Sequence, residues 1–201
     1  MVSTAFKPAV TRVIEPIARA AIRLRVTPDL VTLFGTLGTI LSAIILIPRG
    51  DLFLASLIIP IFLLSDLFDG AIARLSERGA THWGGFLDST CDRLSDSALL
   101  GSIAIFCAFN DNPLYPLVLV AIVTGFLVSY IRAKSESYGI ACTVGLAERT
   151  ERLVVTLFAI GLEGLGVPYA LAIGIWALVV LSAVTVFQRI IVVRRGLLLN
   201  G

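Results

Sequence analysis

The sequence predicts an all-α, polytopic membrane protein with six transmembrane helices behind an N-terminal interfacial amphipathic helix. Three observations carry this. Hydrophobic residues make up 57% of the 201 positions and charged ones only 15%, far from the balance of a soluble domain. The apolar residues gather into blocks close to the ~20 residues that a helix needs to cross hydrocarbon. Once those blocks are read as successive crossings, the cations fall almost entirely on one side. No polar stretch is long enough for a separate water-soluble domain, and no internal repeat or low-complexity segment is visible.

Residues 1–27 are expected to lie along the membrane surface. At 100° per residue Val10, Val13, Ile14, Ile17, Ala21 and Leu24 form one stripe, with Arg12, Arg19 and Arg23 opposite. Pro16 breaks or kinks that helix, and the alternation of polar, basic and apolar residues is not a signal-peptide pattern. Residues 28–195 then form the six-helix domain, and 196–201 a C-terminal tail. The spans read 29–48, 52–76, 86–109, 114–136, 150–166 and 168–192. Pro48-Arg49-Gly50-Asp51, Arg78-Gly79, Asn110-Asp111-Asn112-Pro113, Tyr138-Gly139 and Gly166-Val167-Pro168 separate them.

Six crossings put both termini on one side. Lys7, Arg12, Arg19, Arg23, Arg25, Arg74, Arg78, Arg93, Arg132, Lys134, Arg149, Arg152, Arg189, Arg194 and Arg195 share that side, and only Arg49 falls on the other, so it holds 15 of the 16 cations. The positive-inside rule makes it cytoplasmic, in the cell membrane. Cys91, Cys107 and Cys142 are odd in number and scattered, and read as small apolar residues; the single histidine, His82, falls where a loop is expected.

Ionisable groups at hydrocarbon depth are costly and signal function by default. The second and third spans carry Asp66, Asp69, Arg74, Asp88, Asp92, Arg93 and Asp96. Asp66 and Asp69 are three apart and Asp88 and Asp92 four apart, so each pair shares a helical face. The two spans are joined by a short loop, which makes them antiparallel neighbours and lets the pairs converge at the cytoplasmic boundary. Four close carboxylates repel unless protonated, paired with Arg74 and Arg93, or bound to a cation. An all-oxygen acidic set suits Mg²⁺, or Mn²⁺, and offers nothing soft for zinc. Gly70 after Asp69, and Gly84-Gly85 ahead of the third span, fit close approach of a polar ligand, helix packing or a hinge.

These residues read Asp66-Leu67-Phe68-Asp69-Gly70-Ala71-Ile72-Ala73-Arg74, nine residues, then Gly84-Gly85-Phe86-Leu87-Asp88-Ser89-Thr90-Cys91-Asp92. The pattern resembles the signature of the CDP-alcohol phosphatidyltransferase family, D-x2-D-G-x2-A-R followed by G-x3-D-x3-D, at all eight fixed positions. The resemblance implies six spans with an interfacial N-terminal helix, a homodimer, and transfer of a phosphatidyl group from CDP-diacylglycerol to an alcohol with release of CMP. It implies Asp66, Asp69 and Asp88 as principal metal ligands, with Asp92 completing the acidic site and serving as general base. It places Gly70, Ala73, Arg74 and Gly84, with the metal-binding aspartates, around the CDP-lipid. Thr27-Pro28-Asp29-Leu30-Val31-Thr32 resembles a further family element near the nucleotide, giving Pro28 and Thr32. Asp96 lies outside the signature.

Two later segments bear on the acceptor. Ser129-Tyr130-Ile131-Arg132-Ala133-Lys134 closes the fourth span, Gly145-Leu146-Ala147-Glu148-Arg149-Thr150-Glu151-Arg152 opens the fifth, and Arg194-Arg195 follow the sixth. Arginines at membrane boundaries act as anchors as often as they act in function, but Arg132 and Arg152 at adjacent helix ends suit a phosphate-bearing acceptor. The two segments resemble the actinobacterial phosphatidylinositol phosphate synthases of the same family. That similarity implies inositol 1-phosphate as acceptor, with Ser129, Arg132, Arg152 and the outlying Arg194 binding its phosphate. Glycerol 3-phosphate, the acceptor of phosphatidylglycerophosphate synthases, is the alternative within the family. A divalent-cation transporter is the alternative of a different class, but Ser97–Ile105 carries no further charge to continue a path. Membrane lipids are expected partners and nucleic acid is not.

Overall fold

The computed structural model describes residues 15–20, 22–24, 26–76, 79 and 81–200, the last two by backbone alone. Most of the expected amphipathic helix therefore lies outside the described residues; within it, 15–20 are helical. Seven helices follow: α1 Pro28–Leu46, α2 Leu52–Leu63, α3 Ser65–Leu75, α4 His82–Phe109, α5 Tyr115–Glu136, α6 Arg149–Gly164 and α7 Ala170–Asn200. No strand occurs among the described residues.

Six of the expected spans are thus present as helical segments, the second interrupted at Leu64 between α2 and α3. Pro60 inside α2 removes one backbone donor, and Leu67 N reaches back three residues to the Leu64 carbonyl (3.0 Å), tightening the chain at the junction. Four stretches are long and apolar enough to cross a membrane: Pro28–Leu46, Leu52–Leu75, Tyr115–Glu136 and Ala170–Leu198. The other two helices differ for physical reasons. α4 carries Asp88, Asp92, Arg93 and Asp96 ahead of its apolar stretch, and α6 has 16 residues, about 24 Å of helix at ~1.5 Å per residue. α7 runs through the residues expected as a tail, with Gly196 set against Ile140.

The burial pattern of α1 is that of a helix in lipid. Leu30, Leu33, Phe34, Leu37, Leu41 and Ile44 are exposed, while Thr32, Thr36, Thr39 and Ala43 are buried. Small and hydroxyl residues face protein and large apolar ones face outward, the reverse of a soluble core.

The chain divides into two compact units. Unit one takes in the described residues up to Ser42 together with Ile58–Ser95. In it α1 approaches closely: a side chain at Gly35 would overlap the Ser65 hydroxyl, and one at Gly38 the ring of Phe62. Ala18 packs with Ala71 and Ile72 of α3, flanked by Ile22, Val31 and Phe68. Ile17 and Leu24, expected on the apolar stripe of the N-terminal helix, are exposed. Unit two comprises Ala43–Leu57 and the described residues from Asp96 onward. There α7 packs along both α5 and α6, Gly174 of α7 meeting Ala159 of α6. Cys91, Cys107 and Cys142 are buried free thiols, as expected.

Candidate active site

The acidic site is built in unit one from α1, α3 and the start of α4. Thr27 begins α1, its hydroxyl accepting the Leu30 amide (3.3 Å), with Pro28 and Asp29 in the first turn. Thr81 does the same for α4, accepting the Gly84 amide (3.0 Å). α4 consequently starts at His82, so His82, Gly84 and Gly85 sit in its first turn and not in a loop ahead of it. Trp83 Nε1 donates to Asp29 Oδ2 (3.2 Å), joining the two helix starts.

Asp66 and Asp69 lie one turn apart on α3 and Asp88 lies two turns into α4. One oxygen of each falls within 4.8 Å of the others. Asp69 is buried and the other two half-buried. The Thr32 hydroxyl, buried on α1, donates to Asp69 Oδ2, and the Pro28 carbonyl lies 3.2 Å from Thr32 Oγ1. Thr32, expected beside the nucleotide, thus sits directly on a metal-ligand candidate. Asp92 is not in this trio; it is half-buried one turn further along α4, with Oδ2 3.5 Å from Arg93 Nη2. Arg74 is exposed, and Gly70 leaves a side chain's space that ends 3.4 Å from Arg74 Nη1. Ala73 and Gly84 are half-buried. Three hard oxygen donors converging with one of them buried fit a divalent cation, because a single doubly charged ion relieves their mutual repulsion.

The acceptor candidates lie in unit two. Gly125, Ser129 and Arg132 follow one another at positions i, i+4 and i+7 along one face of α5. Arg152 of α6 lies against that face, since a side chain at Gly125 would end 3.5 Å from its Nε. Arg152 is buried and donates Nη1 to the Ala147 carbonyl (3.1 Å) and Nη2 to Asp96 Oδ2 (3.0 Å). Arg149 Nε donates to the other oxygen, Asp96 Oδ1 (3.3 Å). Arg132 is exposed and donates to Glu136 on its own helix (3.1 Å). Arg194 is placed apart from these. With Tyr130, Ile131, Lys134, Ser135, Ile190, Val193, Leu197 and Leu198 it lines a groove of about 520 Å³ over a different face of α5.

Two buried charge arrangements are not legible in the sequence. Asp96, left outside the signature, holds two arginines. Arg189, counted only as a cytoplasmic charge, is 2% exposed; it donates Nε to the Val144 carbonyl (2.9 Å) and Nη1 to that of Val128, and its Nη2 lies 3.8 Å from Glu148. Its position at the α7 face toward α5 follows the helical period, but nothing in one sequence names its partners.

A family model described as CDP-alcohol phosphatidyltransferase matches residues 25–187. The chain belongs to the CDP-alcohol phosphatidyltransferase family. It is 43% identical over 194 residues to a phosphatidylinositol phosphate synthase of Streptomyces avermitilis, covering 92% of this chain and 79% of that one. Among solved structures it resembles the Mycobacterium tuberculosis phosphatidylinositol phosphate synthase with CDP-DAG bound, at TM-score 0.86 and 39% identity over 90% of this chain and 94% of that one. It also resembles the same enzyme in complex with manganese and citrate, at TM-score 0.84 and 40% identity over 90% and 88%. As a member of the CDP-alcohol phosphatidyltransferases the chain is a membrane enzyme of phospholipid synthesis, and the expected family chemistry agrees with the acidic trio.

Proposed function

We propose that the protein transfers the phosphatidyl group of CDP-diacylglycerol to inositol 1-phosphate, giving phosphatidylinositol phosphate and CMP, in the cell membrane with its active site cytoplasmic. The observation that carries the reading is the meeting of Asp66, Asp69 and Asp88 on the eight-position signature. Relatives named for this reaction, one solved with CDP-DAG and with manganese, support it.

Asp66, Asp69, Asp88 and Asp92 would hold Mg²⁺ or Mn²⁺, which when bound supplies positive charge to offset the pyrophosphate and the departing CMP phosphate. Gly70, Ala73, Arg74, Gly84, Pro28 and Thr32 bind the CDP-lipid, the glycines leaving its phosphates room at the backbone. Asp92 takes the proton of the acceptor hydroxyl as that oxygen bonds to the lipid-linked phosphorus and the bond to CMP breaks. Ser129, Arg132 and Arg152 bind the acceptor phosphate, with Arg194 further off. A free alcohol offers these arginines no anion to pair with, so they select for a phosphate. The reading includes six crossings, an interfacial helix over 1–27 and a homodimer, all implied by the family resemblance.

Purified protein should release CMP from CDP-diacylglycerol with inositol 1-phosphate and far more slowly with free inositol. Chelation should abolish release and Mg²⁺ or Mn²⁺ restore it. Preference for glycerol 3-phosphate would overturn the acceptor and leave the metal chemistry standing. Full turnover without metal would sink the site itself.

A further inference from the structure

Asp96 sits outside the family signature, yet it is the carboxylate on which two arginines of α6 meet. Each of its oxygens receives a different guanidinium: Oδ2 from Arg152 at 3.0 Å and Oδ1 from Arg149 at 3.3 Å. The side chains are 17%, 9% and 20% exposed for Asp96, Arg152 and Arg149, so the arrangement is largely shielded from water. With the Ala147 carbonyl on Nη1, Arg152 is held at both terminal nitrogens, and Gly125 supplies the space its Nε occupies.

Charge compensation alone does not explain the pattern. Two other carboxylates lie in the same segment: Glu148, whose Oε1 is 3.8 Å from Arg189, and Glu151, which is exposed. Asp96 comes instead from another helix, 56 residues away in sequence. The trio of Asp96, Arg149 and Arg152 keeps a formal charge of +1, the sign required by an incoming phosphate. A guanidinium meets phosphate through a planar fork, so its usefulness depends on the orientation of that plane. Anchoring both terminal nitrogens fixes the orientation before the phosphate arrives, and the ordering cost is met on folding and not on binding.

We infer that Asp96 is a positioning residue for the acceptor phosphate, setting the guanidinium plane of Arg152 through its Oδ2. The inference rests on the reading of Arg152 as a donor to that phosphate. Its consequence is a split between substrates. Removing the anchor weakens acceptor binding without touching the CDP-lipid.

The test is steady-state CMP release by the full chain, varying inositol 1-phosphate and CDP-diacylglycerol in turn, for wild type, Arg152→Ala, Asp96→Asn and Asp96→Glu. Asp96→Asn keeps the shape and loses the charge. Its KM for inositol 1-phosphate should rise about tenfold or more, the scale of one lost charge-assisted hydrogen bond. Its KM for CDP-diacylglycerol and its kcat should stay within about twofold of wild type. Asp96→Glu, with the charge restored one methylene further out, should fall between the two. Should Asp96→Asn fail to fold, the same split in Asp96→Glu supports the inference, and an unchanged acceptor KM overturns it. Equal shifts for both substrates, or a loss of kcat alone, mean a structural role and overturn it. If Arg152→Ala raises the acceptor KM while Asp96→Asn does not, only the inference fails. If Arg152→Ala leaves that KM unchanged, the acceptor reading itself fails.

Discussion

A hydroxyl on a metal-binding carboxylate fixes which lone pairs remain for the ion. Thr32 would do this for Asp69 of the proposed metal site, and the contact joins residues 37 apart on different helices. Thr32→Val keeps the volume and removes the donor. It should weaken metal affinity by about 10–100-fold, the usual effect of a lost outer partner. The Mn²⁺ concentration for half-maximal CMP release should rise by that factor, with turnover at saturating metal close to wild type; an unchanged titration would refute the role. Asp92 stands outside the trio and is proposed to take the proton. Asp92→Asn cannot accept it at neutral pH, so transfer should drop by roughly 10²–10⁴-fold, while binding of CDP-diacylglycerol, read by calorimetry, persists. Near-normal turnover would move the base elsewhere. At this scale the aspartates were legible because a three- or four-residue spacing fixes a shared helical face. The Thr32 and Asp96 contacts were not, because they depend on which helices become neighbours.

Helix boundaries were legible where turn chemistry is local. Tyr138-Gly139 ends α5 with Gly139 at φ 71°, and the Ile140 amide reaches back to the Ser135 carbonyl (3.0 Å). The interruption at Leu64 was missed because the hydrophobic run continues through it and a proline within a long apolar block does not by itself end a helix. The segment 140–148 shows what the glycine that opens the Gly145–Arg152 pattern is for. Gly145 has φ 145°, and a side chain there would lie 2.5 Å from Thr185 Cγ2. The Thr185 hydroxyl accepts both the Leu146 and Ala147 amides, at 3.1 and 3.0 Å. Arg189, one turn further along α7, takes the Val144 carbonyl. Together these pin to α7 the strand of chain whose Ala147 carbonyl holds Arg152. Thr185→Val leaves two amides short of an acceptor and should cost about 1–3 kcal/mol, lowering the melting temperature in detergent. Gly145→Ala should do the same through strain and overlap. Because the segment holds Arg152 through the Ala147 carbonyl, both variants should also raise the KM for inositol 1-phosphate; loss of stability with an unaltered acceptor KM would disconnect the loop from the proposed phosphate site.

For the whole chain, the number of crossings decides where the charges lie. Composition alone identifies four, whereas segregation of the cations is expected with six. The two helices that separate these readings are α4, polar because it bears the aspartates, and α6, short because Gly166 ends it. If neither crossed, Arg132, Lys134, Arg149 and Arg152 would move to the side of Arg49, and the near-complete segregation of cations would be lost. Six crossings keep it, and the apolar half of α4 from Ser97 to Phe109 needs only the lipid-facing environment that α1 already displays. The two topologies place particular residues on opposite sides. In the six-crossing chain Asn110 faces outward and Ser137 inward; with four crossings the two exchange sides. Both are exposed, and the three native thiols are buried, so single cysteines can be read in a background from which Cys91, Cys107 and Cys142 have been removed. A membrane-impermeant maleimide applied to intact cells should label Asn110→Cys, and should reach Ser137→Cys only after lysis, with CMP release retained in both variants. The reverse pattern would leave α4 on the cytoplasmic surface and α6 on the outer one, and Asp88 and Asp92 of the signature would no longer stand at hydrocarbon depth.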